Sequence, residues 1–354
     1  MTAFAAFLGA EVRPAAAVEI EFRWTFEGLD GATNPTTADL PSALVSNAVA
    51  GFRQWTRWCS PESPRSIEVV LRIQSYPTGT GGGSSVTSAF VRNSHGLDIF
   101  EEGVAAEVRT GIDPNGGDPD MIVTIDPAYL RDWLWFDPDP QLRQAAITGE
   151  RVDAVSFFAH EFGHVLAFNG WGNTADGSYP GNYRSRFDAM TRWDGAHWYY
   201  SGSTARALYG SDVPLSSISN TRTHYGNPQS SAAPGRDPVL IDGLMNGVAF
   251  RVRQRYSVGL LDLAFLRDQE IALDPAIRFT APELRLSIVG GRQTRVDWLA
   301  TPLARYRVEA SSRADGFWQE ATVDSGSGLT AAPRFYEEPM AASLARFYRL
   351  RLMP

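Results

Sequence analysis

Lysine is missing altogether: all 32 basic residues of this 354-residue chain are arginine. Chemistry that needs a lysine amine is therefore excluded. That covers Schiff bases, pyridoxal phosphate attachment and a phosphate loop ending in Gly-Lys-Ser/Thr. The arginine bias itself reads as genomic base composition. Cysteine is nearly missing, with Cys59 alone. One thiol forms no intramolecular disulfide and builds no cysteine zinc knuckle or iron–sulfur site. Histidine is scarce too: His95, His160, His164, His197 and His224. Any imidazole metal site must draw on these, helped by carboxylates. No apolar run is long enough for a membrane span. Positive charge is in deficit, with a net charge of −8 and a pI near 5.2. Nucleic acid is thus not the expected partner, because phosphate binding needs a basic face.

What is present is ordinary for a globular protein: 44% hydrophobic and 20% charged residues. The length suggests two domains. Residues 1–17 (MTAFAAFLGAEVRPAAA) carry a short apolar run and a small-residue AAA, and read as a truncated or degraded secretory signal. The expected location is therefore outside the cell or on its surface. The only Asn-x-Ser/Thr sequence, Asn34-Pro35-Thr36, is blocked by its proline.

Residues 18–26 (VEIEFRWTF) alternate as a half-buried strand does, and residues 67–73 (IEVVLRI) and 121–125 (MIVTI) read as further strands. Residues 40–58 have apolar side chains at helical spacing. Residues 78–85 (TGTGGGSS) read as a flexible loop, and no lysine follows to make them a phosphate cradle. Residues 113–120 (DPNGGDPD) form an acidic turn that offers itself to a structural Ca2+, although a solvated turn is the commoner outcome. A helix is expected over 151–168, with Asp153 as N-cap and Asn169-Gly170 as stop. A loop-rich stretch follows from 171 to 238, then a helix over 256–268. After Asp274-Pro275, short strands at 284–289, 294–300, 305–310, 318–323 and 345–352 have sandwich-like spacing. The expected domains are 18–277 and 278–354.

The chemistry concentrates in His160-Glu161-Phe162-Gly163-His164. Residues four apart on a helix share a face, so both imidazoles can point at one ion. Glu161, about 100° round the helix, can reach a water on that ion and take its proton. Packing two histidines and a glutamate among phenylalanines without a metal would be costly.

A catalytic zinc site needs a third protein ligand and an open position. His224, in Thr-His-Tyr-Gly-Asn, is one candidate; His197, in an aromatic segment, and Asp188 are its rivals. His95 has no motif context. Asp242-Gly-Leu-Met-Asn-Gly247 has the look of a methionine turn. Cys59 raises the idea of a thiolate capping the metal, but a small buried residue is the commoner outcome.

HEFGHVLAFNG, a distant THYGN and GLMNG together resemble the leishmanolysin-like metzincins over residues 18–273. In that family a long insertion separates the zinc helix from the third histidine. The resemblance implies Zn2+ held by His160, His164 and His224, Glu161 as general base and acid, and Met245 as the turn methionine. Tyr225 is a candidate to stabilise an oxyanion. The implied protein is an α+β zinc endopeptidase with a C-terminal fibronectin- or immunoglobulin-like β-sandwich, acting as a monomer on protein or peptide substrates. The departure is Ala167, where the family has glycine, which moves the expected helix exit to Asn169-Gly170.

Overall fold

The computed structural model describes residues 20–28, 42–61, 65–173, 175–216, 223–226, 238–247, 250–324, 326, 328–340 and 345–354. The signal-like residues 1–17 and the Asn34-Pro35-Thr36 sequence lie outside the described residues, as does Asn227. The architecture is mixed α and β, with several small sheets.

The first sheet is built from β1 (Ile20–Glu27), β2 (Arg65–Ile73), β3 (Gly81–Ser85) and β6 (Met121–Ile125). Its order is β1-β2-β6-β3, with β1, β2 and β6 parallel and β3 antiparallel at the end. Two helices lie with it: α1 (Ser42–Thr56) and α3 (Ala154–Leu166). Their packing is aromatic. Phe52 stacks on Phe162 at 4.5 Å, and the Trp55 indole donates to the Ala159 carbonyl at 2.7 Å. Each of these rings is fully buried.

Between β3 and β6 come β4 (Ser88–Ser94), β5 (Leu97–Glu102) and α2 (Gly103–Thr110). The β4–β5 turn is His95-Gly96, both at positive φ, which gives His95 its place. The stretch expected to be loop is more structured than its composition implied. It contains β9 (Tyr183–Ser185), β10 (Thr191–Trp193), β11 (Trp198–Tyr200), α4 (Ser203–Tyr209) and β12 (Val213–Pro214). These strands are two or three residues long, too short for period-2 alternation to register. Two further short strands, β7 (Leu134–Trp135) and β8 (Val152–Asp153), pair just ahead of α3. The segment α5 (Pro238–Ile241) leads into the turn that holds Met245, called the methionine turn below for that residue, and α6 (Leu260–Asp268) follows. Residues 256–259 lie outside α6, because the Gly259 amide is capped by Asp262 at 2.7 Å.

The C-terminal strands are β13 (Arg285–Val289), β14 (Gln293–Ala300), β15 (Arg305–Ser311), β16 (Gln319–Asp324), β17 (Ala332–Pro339) and β18 (Phe347–Met353). They form two antiparallel three-stranded sheets, β13-β14-β17 and β16-β15-β18. Buried Val296 and Trp298 of one sheet share a core with Tyr306 and Val308 of the other. Among the described residues no helix is long and apolar enough to cross a membrane.

Two expectations need correction. The glycine run at 78–85 is not simply a loop: its second half is β3, laid against α3. A Cβ on Gly83 would come within 2.6 Å of the Glu161 carbonyl oxygen, so only glycine lets strand and helix approach this closely. The second concerns the end of α3. The helix does not run on to Asn169-Gly170; it stops at Leu166, with Ala167 as C-cap at φ −152°. That φ is negative, outside the left-handed region that favours glycine, so the exit requires no glycine.

A candidate metal centre on α3

Asp153 caps α3 as expected, accepting from the Ser156 amide at 3.0 Å. The helix carries His160 and His164 on one face, and His224 reaches them from a separate strap. That strap is a short run of backbone pairing. Leu215 bridges Tyr225, and Tyr225 in turn bridges Asn246 in the methionine turn. The Ser216 amide donates to the His224 carbonyl at 2.9 Å, and the Tyr225 amide to the Met245 carbonyl at 3.1 Å. The third histidine is thus fixed by its neighbours on both sides.

The three imidazoles converge. His160 Nε2 lies 2.9 Å from His224 Nε2 and 3.2 Å from His164 Nε2. Bonds of about 2.0 Å in a tetrahedron imply ligand separations of about 3.3 Å, close to these values. Among the described residues this is the only group of three histidine, cysteine or acidic ligand atoms brought within 4.8 Å of one another. Two rings are oriented from behind. His160 Nδ1 faces the Leu244 carbonyl and His164 Nδ1 the Phe168 carbonyl, each at 2.8 Å. A carbonyl only accepts, so each Nδ1 carries the proton and each Nε2 presents a lone pair. Burial, helped by neighbouring His164, pushes the His160 pKa down to about 3, and burial lowers His164 as well. Both are therefore neutral at ordinary pH, the state a metal requires. Lone pairs this close repel one another, and a cation between them removes the repulsion.

Glu161 is buried beside the triad. Its Oε2 accepts from the Gly83 amide of β3 at 2.6 Å. Burial raises its pKa to about 7, against the opposing pull of that amide. Glu161 also raises the Tyr76 and Tyr129 phenols electrostatically, burial being the larger cause at both. Tyr76 lies over Gly82, and Tyr129 packs edge-on against Phe157 at 5.7 Å. Sequence reasoning missed Gly83, Tyr76 and Tyr129. The glycine run was the one available signal, since a glycine-rich strand marks a close backbone approach.

Met245 is fully buried beneath the helix. A Cβ on Gly163 would lie 2.5 Å from the Met245 sulfur. The motif glycine and the turn methionine therefore fit one against the other. The Leu244 carbonyl that orients His160 belongs to the same turn.

The remaining candidates are elsewhere. Asp188 is buried and accepts from the Trp171 and Ser185 amides, outside the triad. His197 is outside it too, its amide bonded to Asp194 at 2.8 Å. Tyr225 does not offer its hydroxyl to the centre. It donates to buried Asp262 at 2.7 Å and accepts from the Met245 amide at 3.3 Å, which makes it a brace for the turn. Cys59 is buried in the core, bridged to Leu273, with burial pushing its thiol up to about 12. It is therefore no thiolate cap.

No family model, no curated protein and no solved structure matches this chain.

Proposed function

We propose that the chain is a zinc-dependent endopeptidase, with His160, His164 and His224 as metal ligands and Glu161 as general base. One observation carries the reading: three Nε2 atoms converge at 2.9 and 3.2 Å with a glutamate next to them in sequence. Three imidazoles at these separations suit zinc and leave a fourth position open. Bound zinc supplies a Lewis acid that polarises a peptide carbonyl and makes a water acidic at neutral pH. Glu161 takes the proton of the attacking water and delivers it to the leaving amine. The Gly83 amide holds that carboxylate in place. A peptide would lie along β3, which ends its sheet and touches α3 at Glu161.

The finer fold reading accompanies this proposal: a metzincin-like domain over 18–277 and a β-sandwich over 278–354. An end strand beside the histidine helix and a buried methionine turn support the first, and the paired C-terminal sheets the second. Export from the cell belongs to the same proposal.

The deciding experiment replaces Glu161 with Gln and measures casein cleavage together with zinc content. The expected result is retained zinc with a loss of cleavage of about 10²–10⁴-fold. An active variant, or a wild type that binds no zinc, would overturn the reading. A wild type that holds zinc yet cleaves nothing would point to a binding protein built on the same site.

A further inference from the structure

The C-terminal sheets have four end strands: β13 and β17 in one, β16 and β18 in the other. An end strand offers unpaired amides and carbonyls to any other strand, and chains blunt such edges with charge and proline. β17 carries Pro333, Arg334, Glu337, Glu338 and Pro339. β16 carries Glu320 and Asp324, and β18 carries Arg349 and Arg351. β13 (Arg-Leu-Ser-Ile-Val) is different: its sole charge is Arg285, at its first residue, and it has no proline.

β13 also exposes side chains on the core side of its sheet. Leu286 lies directly opposite Val296 of β14, so both project from the same face. Ile288, two residues along, shares that face. Val296 is 0% exposed, whereas Leu286 is 57% and Ile288 64% exposed. The face that β14 buries between the sheets is therefore open at β13. Leu286 and Ile288 line a groove of about 530 Å3 together with Met340 and Tyr348. All five residues of β13 are exposed, and no described segment pairs with its outer edge.

We propose that β13 pairs antiparallel with β13 of a second copy of this chain, joining two three-stranded sheets into one of six strands. The make-up of the strand selects this occupant. A two-fold axis through a residue keeps the apolar sides of both strands on one face, and an axis between residues would turn one of them over. Centred on Ser287, the pairing uses the whole strand: Arg285 meets Val289, Leu286 meets Ile288, and Ser287 meets Ser287. No like charges face each other, and the exposed Leu286 and Ile288 of both copies meet across the new seam. Such cross-strand apolar pairs stabilise a sheet, and one patch serves both partners, as an isologous contact requires. The equivalent pairing of β18 centred on Leu350 would set Arg349 against Arg351, so self-pairing is favoured at β13 alone of these two edges. The interface is small, so association should be weak, with Kd on the order of 10–100 µM. A weak dimer departs from the monomer that the family resemblance implies, and it does not depend on peptidase activity.

Sedimentation equilibrium of the full chain, from about 1 to 300 µM, should show the mass rising towards twice that of the monomer. Ile288→Lys puts a charge on the edge at a position already 64% exposed, so the variant should keep the wild-type near-ultraviolet circular dichroism and stay monomeric. Cysteine capture reads the register. Opposed Cα atoms in an antiparallel pair lie about 4.5–5.5 Å apart, within the span of a disulfide. The native Cys59 is buried and adds no background. Ser287→Cys should therefore cross-link two chains on mild oxidation, and Arg285→Cys, opposite Val289, should not. A wild type still monomeric at the highest concentration would overturn the proposal. Association that survives Ile288→Lys, or cross-linking of Arg285→Cys as ready as that of Ser287→Cys, would overturn it equally.

Discussion

At the scale of single residues, the histidines differ in what stands behind them. His160 and His164 are each backed by a carbonyl, which fixes which nitrogen faces the centre of the triad. His224 closes the triad from 60 residues further on, and Asp188 and His197 do not approach it. His224→Ala should therefore lower zinc affinity by at least tenfold, while His197→Ala leaves it unchanged; competition with a metallochromic chelator reads both. Glu102 makes a different prediction. It is buried, with burial raising its carboxyl to about 8, and its Oε1 accepts from the Asn169 side-chain Nδ2. Its neighbour Glu101 is paired with Arg109 and Arg186. The folded state holds the Glu102 proton that the unfolded chain releases from about pH 4.5 upward. Its contribution to stability is thus present below that pH and is lost as pH rises towards about 8. Glu102→Gln, measured by urea unfolding at pH 5 and pH 8, should flatten this decline. An equally steep decline in the variant would contradict the assignment.

At the scale of elements, the close contacts of α3 matter most. One face meets α1 through Phe52 and Trp55, another meets β3, and Met245 rises from the methionine turn against Gly163. Gly163→Ala should push that turn away, because its Cβ would lie 2.5 Å from the Met245 sulfur and 2.8 Å from Trp55. Overpacking of this kind costs about 1–3 kcal/mol. The same shift moves the Leu244 carbonyl off His160, so zinc affinity should fall together with stability. Chemical denaturation and metal titration on one preparation would show whether the two losses coincide. Much of this was legible in the sequence. The 3.6-residue period marked α3, and Asp153 stood three residues before the Ser156 amide that it caps. The end of α3 carries no local mark, because the chain leaves the helix at Ala167 through a negative φ that needs no glycine. The role of β3 was hidden because three glycines carry no apolar alternation.

At the scale of the whole molecule, the triad joins α3 to a strap that is bridged in turn to β12 and the methionine turn. A metal binding the folded state alone stabilises it by mass action, by about 4 kcal/mol when its free concentration is a thousand times Kd. Removing metal with a strong chelator should therefore lower Tm by several degrees, and equimolar zinc should restore it. A Tm indifferent to zinc would argue against a resident ion. The sequence by itself determined the absent chemistries, the α+β character, the histidine helix with its cap, and two members of the triad. Those are properties of composition and of neighbours within about one helical turn, where spacing alone sets geometry. For the third member, local pattern does not separate His224 from His197 and Asp188, and only the family resemblance favours His224, because ring convergence across 60 residues depends on the path between them. Only the tertiary structure decided that His224 closes the triad, that Tyr225 braces the turn, and that Gly83 holds Glu161. Each rests on a backbone bridge or a close approach between segments distant in the chain, and no local pattern records such contacts.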